Sequence, residues 1–258
     1  MLLIISPAKK LDFSPIEIKN KLSNPIFQKD ASTLASVASK LSKSELGQLM
    51  SISEKLADLN FKRFQNFKTN PDKISSKAAA FAFNGDTYIG LNISEFSELD
   101  LNFSQKHLRI LSGLYGLLRP LDIIQPYRLE MGSHLKNKRG NDLYDYWSNT
   151  ISEQINLDLK GFKNQKIINL ASLEYSKVIN KKIVNVDMIS PHFLEEKNGN
   201  LKNISFFSKK ARGSMARFII KNKIIDHSEI NNFNYDRYSF NSSLSSELKP
   251  VFTRKSIS

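Results

Sequence analysis

MLLIISPAKK, residues 1–10, is the stretch on which the fold turns. Leu2 to Ile5 are all apolar, and Pro7 closes the run just past Ser6. Such a start is either the apolar part of a targeting signal or a buried strand. No basic residue precedes it, and Pro7 cuts it far short of the roughly 18 residues a membrane span needs. It is therefore read as a first β-strand, Leu2 to Ser6, entering a loop that carries Pro7, Lys9, Lys10 and Pro15.

Working outward, the next periodic segment is helical. From Ser32 to Phe67 the apolar positions Leu34, Val37, Leu41, Leu46, Leu49, Leu56 and Leu59 recur mostly at three- and four-residue steps. Breaks fall at Ser42–Ser44 and Ser51–Ser53, where serines suit helix caps. Ala78 to Phe83 is predicted as a buried strand running into a Gly85-Asp86 turn, and Ser94 as the cap of a further helix. Leu108 to Leu111, Lys166 to Leu170 and Lys182 to Ile189 read as strands. Asn141 to Leu159 reads as an amphipathic helix holding the only tryptophan, Trp147. Ser172, Glu174 and Tyr175 start a helix directly after a strand. His192–Glu196 and Leu201–Phe207 flank Asn198-Gly199, a hairpin signal. Lys209 to Lys223 is predicted helical. The tail still holds Phe233, Tyr235, Tyr238, Phe240 and Phe252, too many aromatics for a disordered segment.

Strands and helices are interspersed without an internal repeat or a Pro/Gly/Ser-rich linker. The expectation is α+β: a single domain over residues 1–258, with a mixed sheet and surrounding helices. No later segment is long and apolar enough for a membrane span. There are no cysteines, which removes disulfides, thiolate catalysis and cysteine-bound zinc or iron–sulfur clusters, and fits a cytoplasmic chain.

Lys and Arg number 38 against 25 Asp and Glu, a formal net charge of +13. Such an excess favours acidic partners, although solubility alone also accounts for it. Its distribution points further. Leu201 to Ile225 holds seven basic residues and no acid: Lys202, Lys209, Lys210, Arg212, Arg217, Lys221 and Lys223. Exposed helices ordinarily mix signs. On a helix, Lys210, Arg217 and Lys221 share one face, with Lys209, Arg212 and Lys223 nearer the flanks. Gly213 admits a phosphate or another chain close to the backbone.

Residues 44–62 resemble a helix-hairpin-helix element, and a bare helical hairpin fits the spacing equally well. Leu46 and Leu49 supply the first helix, Ser51-Ile52-Ser53 the hairpin, and Ala57 the second helix. Such a hairpin aims backbone N–H groups and a positive helix end at one phosphate. Serines stand where that motif has glycines, and serine resists positive φ. Lys55, Lys62 and Arg63 lie nearby. Between Leu111 and Gly132, Arg119 and Arg128 are cations in apolar surroundings. Glu130 is read there as a structural ion-pair partner, with acid–base chemistry as the other possibility. Asp86 is read as a turn-capping aspartate before a catalytic one. The four histidines, His107, His134, His192 and His227, show no metal-ligand spacing, and no phosphate loop or dinucleotide fingerprint is present, so no metal and no cofactor is expected.

Six blocks together carry a resemblance: ISPAKKLDF (5–13), FNGDTYIGL (83–91), HLRILSGLYGLLRPLDIIQPYRLEMG (107–132), LYDYW (143–147), INLASLEYSKVI (168–179) and SKKARGSMARFII (208–220). They resemble the YaaA family of bacterial peroxide-stress proteins over nearly the whole chain. The resemblance implies a cytoplasmic protein of hydrogen-peroxide resistance that limits iron-driven DNA damage. It also implies a positively charged cleft, a helix-hairpin-helix element and DNA binding, with Lys9, Lys10, Lys209, Lys210, Arg212 and Arg217 carried over by position.

The expectation is a monomer that binds double-stranded or structured DNA with weak sequence preference. Its phosphate contacts would be Lys9, Lys10, Ser51, Ser53, Lys55, Arg119, Arg128, Lys209, Lys210, Arg212, Arg217 and Lys221. The alternative is an enzyme acting on damaged DNA or a modified nucleobase, with Lys9, Lys10, Asp86 and Glu130 as candidate catalytic residues.

Overall fold

The computed structural model describes residues 1–72 and 75–255. In it the run LLII is strand β1 (Leu2–Ile5), buried on both faces at the centre of a sheet. Burial on both faces is why the strand reads as continuous apolar sequence rather than as an alternation. Three helices follow, α1 (Gln28–Ala38), α2 (Lys43–Met50) and α3 (Glu54–Gln65), divided where the serines predict. Ser42 caps α2 through a reciprocal box: its hydroxyl accepts from the Glu45 N–H at 3.2 Å, and the Glu45 carboxylate accepts from the Ser42 N–H at 2.7 Å.

The segment predicted as a strand over 78–83 differs. Only β2 (Lys77–Ala78) is extended, and α4 (Ala79–Ala82) is one helical turn. Three of its four residues are alanines, the best helix formers, and the Ala79 and Ala80 N–H groups are taken by the carbonyls of Asp122 and Pro120. Gly85-Asp86 is not an isolated turn either, because α5 (Asp86–Leu91) starts there. The next helix, α6 (Glu98–His107), is capped by Ser97 with Asp100 rather than by Ser94, which lies in a preceding 3₁₀ turn.

Strand β3 (Leu108–Ser112) turns through Gly113 into β4 (Gly116–Leu118), and β5 (Ile123–Ile124) pairs with β2. Trp147, on α7 (Leu143–Leu159), is fully buried under that turn and donates to the Gly113 carbonyl at 2.9 Å. Strand β6 (Ile167–Leu170) leads at once into the single turn α8 (Leu173–Ser176). The strand predicted over 182–189 shrinks to β7 (Met188–Ile189), because the Ile183 and Val184 N–H groups turn back onto the Asn180 carbonyl. The main sheet runs β4-β3-β1-β6-β7, with β1 parallel to β3 and β6, β6 parallel to β7, and β4 antiparallel at the edge.

The Asn198-Gly199 hairpin is present between β8 (His192–Lys197) and β9 (Asn200–Lys202), both turn residues having positive φ. The arm predicted over 201–207 stops at Lys202, because α9 (Ser205–Lys221) begins there, four residues before the predicted helix. With β10 (Ser239–Phe240) and β11 (Val251–Lys255) the hairpin makes a second mixed sheet, β10-β11-β8-β9. Phe193, Phe233, Tyr238 and Phe252 are buried together behind it, so the aromatic tail is part of the folded body. The architecture is α+β with mixed sheets.

Helices α5 and α9 cross at backbone contact. A Cβ on Gly90 would stand 2.1 Å from the Lys210 carbonyl oxygen. Gly213 therefore serves another segment of the same chain rather than a phosphate.

Candidate functional site

Strands β1 and β6 lie side by side, and the loops at their carboxyl ends open on one cavity of about 410 Å³. The chain leaves β1 for β3 on one side of it and returns to β6 on the other, the arrangement that leaves a crevice at strand carboxyl ends. The two loops are clasped: the Ser172 N–H donates to Ser6 Oγ at 2.9 Å, and Tyr88 Oη donates to the Ser6 carbonyl at 3.1 Å. The remaining walls come from the start of α5, from Tyr127–Glu130 and from α9.

Five cations reach this cavity: Lys9, Lys10, Arg128, Lys209 and Arg212. Three carboxylates accompany them, Asp86, Glu130 and Glu174. Glu130 Oε1 takes both Lys9 Nζ, at 3.3 Å, and Arg128 Nη2, at 3.1 Å. Glu174 Oε1 accepts from the Gly132 N–H at 3.3 Å. Among the described residues Lys10, Lys209 and Arg212 have no hydrogen bond or ion pair to an acid. Burial lowers the pKa of Arg212, the mark of a guanidinium partly withdrawn from water without compensation. Tyr88, Tyr127 and Tyr175 are buried and line the cavity, and burial raises all three phenols well above their usual range.

Four residues read from sequence as candidate chemistry, Lys9, Lys10, Asp86 and Glu130, thus share one cavity with Arg128, Lys209 and Arg212. Glu130 is held in the ion pair that its sequence context suggested. The helical face predicted to be the working one is elsewhere. Lys210 pairs with Asp236 at 3.1 Å, Lys221 with Asp100 at 3.0 Å, and Arg217 lies 3.8 Å from Glu95 and over the Tyr235 ring at 5.1 Å. Arg119 is also away from the cavity, bonded to the fully buried Asp122 at 2.8 Å and to the Asn24 carbonyl. Ser172, Glu174 and Tyr175 read in sequence only as the start of a helix, although the strand–turn–helix at 167–176 puts their loop at the carboxyl end of a parallel strand; Ser6, Tyr88 and Tyr127 carry no such local signal.

Residues 51–53 join α2 to α3 by a short turn in which Ser51 takes positive φ, 49°. Its N–H and that of Ile52 are spent on the carbonyls of Gln48 and Gly47, however, so they close α2 instead of facing outward. Ser53 and Lys55 are exposed at the start of α3. Burial, and then the charge of Arg128, lower the pKa of Arg63, at the far end of α3. Ten residues of helix separate Ser53 from Arg63, about 15 Å.

Among the described residues no group of three or more His, Asp or Glu is placed to hold a metal ion, and no helix is long and apolar enough to cross a membrane.

Residues 1–244 match a family model described as peroxide stress protein YaaA. A UPF0246 protein of Saccharophagus degradans is 45% identical over 255 residues, covering 99% of this chain and 100% of the relative. One from Colwellia psychrerythraea is 47% identical over 255 residues, with 99% of each chain covered. One from Idiomarina loihiensis is 44% identical over 254 residues, with 98% of each covered.

Proposed function

The chain belongs to the peroxide stress protein YaaA family, and from that premise we propose that it is a DNA-binding protein of the hydrogen-peroxide response. In this reading it is a cytoplasmic monomer that holds double-stranded or structured DNA at the mouth of the cavity, with weak sequence preference, and protects it from iron-driven damage. One observation carries the reading: Lys10, Lys209 and Arg212 arrive from two distant segments at one cavity, and none of the three is ion-paired to the carboxylates there, Asp86, Glu130 and Glu174. Cations gathered that way repel one another until an anion joins them, and phosphate is the anion a nucleic acid supplies. Ser53 and Lys55, at the positive end of α3, add a second phosphate contact about 15 Å from Arg63 along that helix.

The test is duplex affinity measured against salt. Each phosphate contact contributes about 0.9 to the slope of log affinity on log salt. Joint replacement of Lys10, Lys209 and Arg212 by alanine is expected to lower that slope by about 3. An unchanged slope and affinity would remove the cavity from the interface.

A second reading, an enzyme acting on damaged DNA or a modified nucleobase, draws on the meeting of Lys9, Lys10, Asp86 and Glu130 in the same cavity. A lysine amine that displaces the damaged base from C1′, with opening of the sugar ring, or that condenses with the C1′ aldehyde of an abasic site with loss of water, leaves an imine that borohydride reduces to a stable adduct. An adduct lost in Lys9→Ala or Lys10→Ala supports the enzyme; no adduct on abasic or oxidised DNA leaves binding as the function.

A further inference from the structure

A cube of 410 Å³ has an edge of about 7 Å, whereas the major groove of a duplex is itself about 12 Å wide. A duplex cannot enter the cavity. The volume does fall within the roughly 300–1,000 Å³ of small-ligand sites. Its chemistry is divided in the way a nucleotide is: cations without acid partners in Lys10, Lys209 and Arg212, and buried rings in Tyr88, Tyr127 and Tyr175.

Beside it stands an apolar side chain with nothing to cover it. Leu173 is 81% exposed, the highest value among the large apolar side chains of the described residues. Its two chain neighbours, Ser172 and Glu174, both line the cavity. Leu173 is also firmly mounted. The Ser172 N–H is bonded to Ser6, the Glu174 carbonyl accepts from Tyr144 Oη at 2.8 Å, and the Glu174 carboxylate accepts from Gly132. An exposed leucine on a loop tied at three points, next to a base-sized cavity with a cationic mouth, has the layout of a wedge and a receptacle.

Resting on the DNA-binding reading, we propose that the cavity receives one nucleotide turned out of a distorted duplex, while Leu173 enters the gap left in the base stack. The phosphate meets Lys10, Lys209 and Arg212, and the base lies among the tyrosine rings. Damaged or mismatched positions are favoured, since their unstacking costs least.

The test uses the full chain and a duplex carrying 2-aminopurine opposite thymine at a bubble or mismatch. Anisotropy gives affinity. 2-Aminopurine emission reports unstacking, and permanganate reactivity of the opposite thymine reports it independently of quenching by tyrosine. Wild type is expected to raise thymine reactivity severalfold and to change the emission. Leu173→Ala is expected to lose both effects yet still to bind the duplex with the wild-type salt slope, because Leu173 meets no phosphate. Effects that persist in Leu173→Ala, or that are absent from a wild type that still binds, overturn the wedge. So does equal affinity for free 2-aminopurine deoxyribonucleoside monophosphate and for the duplex, since the cavity would then serve free nucleotides. Failure of wild type to bind any duplex overturns the DNA-binding reading itself.

Discussion

Gly213 lies directly against the main chain of Thr87: a Cβ on Gly213 would stand 1.8 Å from the Thr87 carbonyl oxygen. This contact, with its counterpart at Gly90, seats α9 on α5 and so sets where Lys209 and Arg212 stand over the cavity. Backbone atoms on both sides leave nothing soft to move. Gly213→Ala is expected to cost about 3 kcal/mol, a fall of roughly 6–12 °C in melting temperature. A melt that coincides with wild type would mean the two helices part easily.

The two sides of α9 have different electrostatic surroundings. Lys210 and Lys221 each have a carboxylate within 3.1 Å, and Arg217 has a longer pair and an aromatic face. Lys209 and Arg212 have no acid partner among the described residues. Joint alanine replacement of Lys210, Arg217 and Lys221 is expected to destabilise the fold while leaving duplex affinity within about threefold. The pair Lys209→Ala and Arg212→Ala is expected to weaken binding about tenfold or more at low salt. Anisotropy titrations at matched folded fraction check this, and equal losses from the two sets would refute the division.

The same helix marks how far the sequence could be read. The steps of seven and four correctly put Lys210, Arg217 and Lys221 on one face. Which face is outward depends on Glu95, Asp100 and Asp236, which no local pattern joins to α9. Likewise Leu34 and Leu46 are buried as their place in the apolar series predicts, and Ser42 caps as its type predicts, whereas Leu56 and Leu59 of the same series are exposed and Ala57 between them is buried instead. Ala78 to Phe83 could not be read locally: its strand or helix choice rests on carbonyls of Pro120 and Asp122, some 40 residues on. The cavity was half legible. Its cations stood out as charges, but its floor is defined by β1 and β6 lying adjacent, a pairing between residues 2–5 and 167–170.

In the second sheet, Arg254 Nε donates to both oxygens of Glu195, at 2.7 and 2.9 Å, and both side chains are buried. Tyr238 also donates to Glu195, and the Arg254 guanidinium lies 4.7 Å from the Phe207 ring centroid and 4.6 Å from that of Tyr238. The pair thus ties β11 and β8 to the first turn of α9. Arg254→Met leaves a buried carboxylate without its cation and is expected to cost about 3–5 kcal/mol. Adding Glu195→Leu removes the orphaned charge and is expected to recover much of that loss. Urea unfolding of the two variants decides; a double variant no better than the single would show that the pair itself stabilises the sheet.

His107 gives the fold a pH dependence whose sign follows from its surroundings. The ring is buried between Phe103 and Phe162, at 4.0 and 4.6 Å, and its Nδ1–H donates to the Met1 carbonyl at 2.8 Å. Burial lowers its pKa; the bond to Met1 opposes this, and the charges of the N-terminal amine, Arg109 and Lys106 reinforce it. The folded chain then binds this proton less readily than the unfolded chain, whose value is near 6.5. Stability therefore falls as pH drops below about 6.5 and stops falling, on this account, below the depressed folded value. His192 is lowered as well, by burial and then by Lys249 and Arg212, but it is exposed, and its protonation disturbs the fold less. The depressed carboxylates, Asp100 and Asp236, act in a separate window near and below their ordinary 3.8. Urea midpoints of wild type and His107→Gln between pH 7 and 5 test the argument. The wild-type midpoint should fall more steeply, because glutamine offers no proton site; parallel curves would assign the slope to another group.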